Sequence, residues 1–393
     1  MKVGIVVPHI FMQRELLGRV IFSPGVQVLR LANSLQEQGV SVTLFSPGEV
    51  DTNAPNITAD LRYFKEELAA RGDDYLGLLR KHPLTFITLA RQVQSELIAQ
   101  AYTMANNDQL DIVHIYTNEE DTALPFAGLC NKPTIFTHHD PFNFLVHYKN
   151  VFPKYPHLNW LSLSYAQRKS MPAGTNWVGN IYHGIDPVTY QPNFGGTQDY
   201  AAYLGRIIEP KGVHLAVRAV KQYNKNASKP LKLKIAGKHY SSKPKNSYWE
   251  KLIVPELNDP MIEYVGHIKD ERDKQEFLAN AAALLVPSIF EEPFGMVLIE
   301  ALACGTPLIG LDSGAIPEII EDKKTGFIVE KKGIVSDGKR QVIDETSAVQ
   351  GIAEALGNAS KISRKSCRES FEQRFTLKRM VSEHIKVYEK LTK

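Results

Sequence analysis

Cysteine is scarce in this sequence: Cys130, Cys304 and Cys367 lie far apart, with no C-x-x-C pair. That usage suggests neither a disulfide framework nor a thiolate zinc site, and it suits a reducing cytoplasm. No stretch approaches the ~18 uninterrupted apolar residues that cross a bilayer. Charge of one sign is missing too. The 46 basic and 43 acidic side chains leave +3, too balanced for a chain whose main partner is a nucleic-acid backbone. Neither G-x-G-x-x-G nor G-x-x-x-x-G-K-[ST] occurs, so dinucleotide and P-loop readings lose their best mark. Repeats of 20–50 residues and low-complexity tracts are absent. The start, Met1 to His9, has only a short apolar run and reads as a buried first strand rather than a secretory leader.

What is present points to an ordinary folded protein. A length of 393 residues implies two or three domains, and 43% hydrophobic against 23% charged residues excludes disorder as the dominant state. Residues 1–190 carry 15 basic against 17 acidic side chains, and residues 191–393 carry 31 against 26, so an anionic ligand would favour the second half. Short β-branched runs alternate with helical patterns: Val3–Val7, Val42–Phe45, Ile112–Tyr116 and Thr134–Thr137, then Ala202–Leu204, Leu231–Ala236, Ile262–Val265, Ala282–Val286, Leu308–Leu311 and Gly326–Val329. This grammar predicts α/β architecture with two doubly wound parallel sheets. A turn-rich stretch between the two series sets a linker at 188–199, a first domain over 1–187 and a second over 200–375. Residues 52–110 look helical, with Leu89, Val93, Leu97, Ile98 and Ala101 on one face, and the end of the chain reads as an amphipathic helix through Met380, Val381, His384, Val387 and Leu391.

The most informative segment runs from Val286 to Pro307. It reads as a buried strand, a polar loop, and a helix from Gly295 to Cys304 that Gly305 and Pro307 stop. Glu292 and Glu300 bracket the helix start, whose free N–H groups at a strand's C-terminal end suit a phosphate. Arg206 and Lys211 lie five apart in the loop after another strand, where a guanidinium fork and an ammonium point charge suit a diphosphate.

The stretch Glu292-Pro-Phe-Gly-Met-Val-Leu-Ile-Glu300 resembles the E-x7-E signature of retaining glycosyltransferases of family 4, which have the GT-B fold. Gly205-Arg206 with Lys211-Gly212, Gly266, Gly314 to Glu318 and Thr325 to Phe327 follow in the family's order. The likeness is also close around Ser164 to Arg168, Trp177 to Gly179 and His183 to Asp186, as in bacterial members, and it covers essentially the whole chain. The resemblance implies two Rossmann-like domains facing a cleft, with residues 376–393 forming a helix that crosses back to the first, acceptor-side domain. It implies transfer of a hexosyl group from a nucleotide-diphosphate sugar, with UDP-glucose the commonest donor, without a metal or other cofactor. Glu292 would then contact hydroxyls of the donor sugar and Glu300 the ribose. Arg206 and Lys211 would hold the diphosphate, while Phe294, Gly295, Met296 and Val297 would line sugar and phosphate. Gly266, His267 and Ile268 would border the base. In the first domain the resemblance favours His139 as a sugar-facing group, with His138 structural, and retains Gly25 as a possible contact in the first βα loop, where Pro24 has no N–H to offer.

Competing assignments are weaker. Adjacent His138 and His139 point opposite ways on an extended chain and lack a third ligand, so a metal site is not supported. No Asp-x-Asp occurs, against the metal-dependent glycosyltransferases. Ser162, Ser164 and Cys304 have no base nearby in sequence. The open alternatives are a nucleotide-sugar epimerase or a phosphorylase on the same scaffold, and a non-catalytic sugar-nucleotide-binding protein. The acceptor, whether glycan, lipid or small molecule, is expected against residues 10–25, 52–110 and 140–170, where no transferable code exists. Peripheral membrane contact is compatible with the sequence.

Overall fold

The computed structural model describes residues 1–393 apart from 21, 118–120, 240–246, 334 and 337–340. Its contacts divide the chain into two compact units. The first comprises Met1–Leu163, Arg168–Tyr182 and Leu377–Lys393, and the second Ser164–Gln167 and His183–Thr376. The change of unit at His183, rather than at 187, has a local cause: Ile185 N donates to Phe375 O at 3.0 Å, which ties this segment to the end of the second unit. Residues 188–199 contain no helix or strand.

The first unit is built on a seven-stranded parallel sheet: β1 (Lys2–Val6), β2 (Ser41–Ser46), β3 (Asn56–Thr58), β4 (Ile112–Thr117), β5 (Thr134–His138), β6 (Asn159–Ser162) and β7 (Trp177–Asn180), in the order 3-2-1-4-5-6-7. Side chains alternate along β1. Val3 and Ile5 join one core with Val42, Leu44 and Ile135, whereas Val6 joins the opposite core with Phe45, Val113 and Phe136. Burial on both faces explains why these strands read as unbroken apolar runs. Helix α1 (Ser23–Glu37) covers one face. The 24-residue α4 (Pro83–Asn106), which follows α2 (Arg62–Arg71) and α3 (Tyr75–Lys81), covers the other through Phe86, Val93, Leu97, Ile98 and Ala101. A short α5 (Val146–Val151) follows β5, and α6 is Tyr165–Arg168.

The second unit carries a six-stranded parallel sheet: β8 (Tyr200–Leu204), β9 (Lys232–Ala236), β10 (Ile262–Gly266), β11 (Ala283–Val286), β12 (Leu308–Leu311) and β13 (Gly326–Val329), in the order 10-9-8-11-12-13. A two-stranded ribbon, β14 (Val335–Ser336) and β15 (Gln341–Val342), follows. The helices are α7 (Val213–Asn224), α8 (Glu271–Ala279), α9 (Met296–Ala303), α10 (Ile316–Ile319), α11 (Glu345–Asn358) and α12 (Arg364–Arg374). The last helix, α13 (Leu377–Thr392), belongs to the first unit and packs on α1 and β4. Its stripe buries Met380, Val381, His384 and Tyr388, and the Tyr388 hydroxyl lies 2.8 Å from His114 Nδ1 inside the sheet's core.

Both sheets are therefore Rossmann-like. All ten runs expected as strands are strands, within two residues at each end. Five more were not expected: β3, inside the stretch read as helical, β6 and β7 at the opposite edge, and the two strands of the β14–β15 ribbon. No described helix is long and apolar enough to cross a membrane.

Candidate functional site

In a doubly wound sheet the ligand crevice lies outside the carboxyl ends of the strands, where the strand order reverses. In the second unit that point is between β8 and β11. The loop after β8 carries Arg206 and Lys211, and the loop after β11 carries Ser288 and Glu292. Two backbone bonds stitch these loops together, since Pro210 O accepts from Ile289 N at 2.9 Å and from Phe290 N at 3.1 Å. Gly212, at φ +68°, makes the approach possible: a Cβ there would lie 2.0 Å from Pro287 O.

The result is a nearly dry charged cluster. Lys211 Nζ donates to Glu292 Oε1 in a short ion pair, with side-chain exposures of 19% and 7%. Ser288 Oγ donates to the same oxygen at 2.8 Å, and the Lys211 ammonium also lies 5.2 Å from the centre of the Phe290 ring. A third loop fixes the backbone of Glu292. Ala315 N donates to Glu292 O at 2.8 Å, Gly314 N donates to Glu291 Oε2 at 2.7 Å, and Lys331 Nζ bridges Glu291 Oε1 at 2.8 Å and Ser313 Oγ at 3.0 Å. Gly314 has φ +55°, and a Cβ on it would lie 2.3 Å from both Glu292 N and Glu292 O. Only glycine fits that crossing.

Helix α9 begins one residue after Gly295, so the N–H groups of Met296 and Val297 sit in its first turn, where a helix leaves donors unpaired and carries partial positive charge. Phe294 is buried edge-on against the His183 ring at 5.2 Å, so what it turns outward is backbone. One turn further, buried Glu300 accepts from Lys274 Nζ of α8 at 3.1 Å through Oε1. Arg206 is exposed, and its side chain makes no hydrogen bond or ion pair with the described residues. The turn Gly266–Ile268 follows β10. Partial desolvation, with Lys238, Lys269 and Lys274 nearby, pushes the His267 pKa below its ordinary value.

Of the residues singled out in the sequence, the fold joins Lys211 to Glu292 and sets Arg206, Gly266 to Ile268, Phe294 to Val297 and Glu300 on carboxyl-edge loops and the α9 turn of the same sheet. His139 and Gly25 belong to the first unit. His139 is half-buried at the end of β5 with its ring 5.6 Å from Tyr116, and desolvation lowers its pKa to about 3. His138 is fully buried among Phe142, Tyr148 and Phe152, 3.1 Å from Thr117 Oγ1, and burial likewise lowers its pKa to about 3. Gly25 lies in the first turn of α1, where a Cβ would meet the Phe22 ring at 2.6 Å and Met12 Sδ at 2.9 Å, so packing alone accounts for a glycine there. Of the expected acceptor stretch 10–25, Ile21 lies outside the described residues. Among the described residues, no group of three or more His, Cys, Asp or Glu side chains is arranged to hold a metal ion. Ser288, Glu291, Lys274 and Lys331 escaped the sequence reading, because nothing in local spacing marks which side chain each will meet.

Two Rossmann-like units, with cations and carboxylates at the switch point of the second, have the architecture of the GT-B class. Residues 189–360 match the family described as "Glycosyl transferases group 1" and residues 24–177 match "Glycosyltransferase Family 4"; the chain belongs to these family 4 glycosyltransferases. It is similar to spore coat protein SA of Bacillus subtilis, 22% identical over 56% of this chain and 60% of that protein. It is also similar to alpha-maltose-1-phosphate synthase of Mycobacterium tuberculosis, 27% identical over 51% of this chain and 49% of that protein. The chain spans about half the length of the curated relatives it matches. Among solved structures, Anabaena Alr3699/HepE in complex with UDP and glucose has the same fold, with a TM-score of 0.65, 14% identity and full coverage of both chains.

Proposed function

We propose that this chain moves a hexosyl group from a nucleoside-diphosphate sugar to an acceptor hydroxyl with retention of anomeric configuration, without metal or other cofactor, in a reducing cytoplasm. A UDP-sugar is the favoured donor, in keeping with the UDP and glucose named for the Anabaena structure. The observation that carries the reading is the water-poor Lys211–Glu292–Ser288 cluster beside the first turn of α9.

In the reaction the bond between the anomeric carbon and the leaving phosphate oxygen breaks, and negative charge grows on the diphosphate. Lys211, Arg206 and the N–H groups of Met296 and Val297 offset that charge in a setting where fixed donors are worth far more than in water. The acceptor oxygen bonds to the anomeric carbon from the same face, and its proton passes to the departing phosphate oxygen, so no separate base is required. Glu292 orients sugar hydroxyls, Glu300 takes the ribose, and Gly266 to Ile268 border the base.

The test is mass spectrometry of nucleoside diphosphate released from UDP-, GDP- and ADP-sugars with chelator present. Release from one donor is expected with a suitable acceptor. Release only after divalent metal is added would contradict metal independence, and consumption of orthophosphate or epimerised donor would replace transfer with one of the alternatives.

A further inference from the structure

The nucleotide-sugar reading leaves one buried group incompletely used. The Glu300 side chain is 7% exposed, and its two oxygens are treated differently. Oε1 accepts from Lys274 Nζ at 3.1 Å, whereas Oε2 is buried without a hydrogen-bond partner among the described residues. Buried polar atoms are nearly always satisfied, so an orphaned carboxylate oxygen at the ligand edge of a sheet calls for a donor from outside the protein. A hydroxyl supplies one.

Lys274 comes from α8 rather than from the motif that contains Glu300, and it is held on its other side by Tyr190, whose ring centre lies 5.8 Å from the ammonium. The Lys274 side chain is itself only 22% exposed. A cation fixed on one oxygen sets the plane of the carboxylate and leaves the second oxygen directed at the ligand. Removing it would leave a buried charge uncompensated, free to turn or to draw in water.

We propose that Lys274 is a positioning residue for ribose recognition: by holding Oε1 of Glu300 it presents Oε2 to a ribose hydroxyl of the bound nucleotide. This rests on the proposed donor site. It assigns to a residue of α8 part of the discrimination between ribose and deoxyribose.

The experiment is calorimetric titration of the full chain with UDP, GDP and ADP and with their 2′-deoxy and 3′-deoxy forms. The wild-type chain is expected to prefer the ribonucleotide over one deoxy form by about ten- to a hundredfold, the range of a hydrogen bond to a charged group. Lys274→Met should collapse that ratio to within about threefold of unity, as Glu300→Gln should, because either change removes a charge-assisted contact. Lys274→Arg, which keeps a cation near Oε1, should retain most of the preference. A merely structural role would weaken both nucleotides alike and leave the ratio unchanged. Should Lys274→Met fail to fold, Lys274→Gln is read in the same way. An unchanged ratio in a folded variant overturns this proposal and leaves the donor site standing. Absence of binding by any of the three nucleotides to the wild-type chain overturns the donor site, and this inference falls with it.

Discussion

The two units treat buried polarity in opposite ways. The six-stranded unit buries full charges in pairs, Lys211 with Glu292 and Lys274 with Glu300. The seven-stranded unit buries neutral imidazoles: His114 bonded to Tyr388 and Thr137, His138 to Thr117, and His384 to Met380 O, with burial holding all three below their ordinary pKa. Retaining buried charge is costly unless every partner is in place. The six-stranded unit is therefore the one organised to meet an anion, whereas these histidines of the seven-stranded unit stay neutral near neutral pH.

The sharpest way to break this contrast is Gly314→Ala. The added Cβ would strike the Glu292 backbone in a left-handed conformation, so transfer should be abolished and the six-stranded unit destabilised by about 3 kcal/mol, read by activity and by thermal unfolding. Lys211→Ala should lower turnover by roughly 10²–10³ while donor affinity changes much less, because the charge it offsets is largest in the transition state. Equal loss of affinity with unchanged turnover would deny it that role. Glu292→Gln should damage turnover yet leave binding of the free nucleoside diphosphate nearly intact, as titration would show, since its assigned partner is the sugar. The most gradual effect concerns acid. With folded pKa values of about 3 for His138 and about 4 for His384, below the unfolded value, their stabilisation is present above pH 6.5 and declines as pH falls toward those values. The seven-stranded unit should lose up to about 1.4 kcal/mol per pH unit per histidine, with His138→Phe flattening the slope in calorimetric scans between pH 7 and 4.5.

Legibility differed between the units for a physical reason. Central strands such as β1, beyond its exposed Lys2, β8 and β12 are apolar because both faces are covered, and they stood out in the sequence. The missed β3 has three residues, all half-buried, and β7 has four, Trp177 to Asn180, also half-buried. Strands so short at a sheet's edge leave no readable period. In the site, Glu292, Glu300, Arg206 and Lys211 were legible because a motif carries them. Ser288 and Lys331 were not, since their significance lies in side-chain contacts 4 and 40 residues away, with Glu292 in the same loop and Glu291 in another respectively. Gly314 was visible within a motif, but its purpose, the crossing over the Glu292 backbone, needs three dimensions.

The most direct test is amide hydrogen exchange of the intact chain with and without the nucleoside diphosphate that binds best among UDP, GDP and ADP. The account predicts protection concentrated in the six-stranded unit, over residues 205–212, 266–268 and 292–300. Protection confined to the seven-stranded unit, or spread without regard to these loops, would contradict the assignment of the anion site to the charged edge.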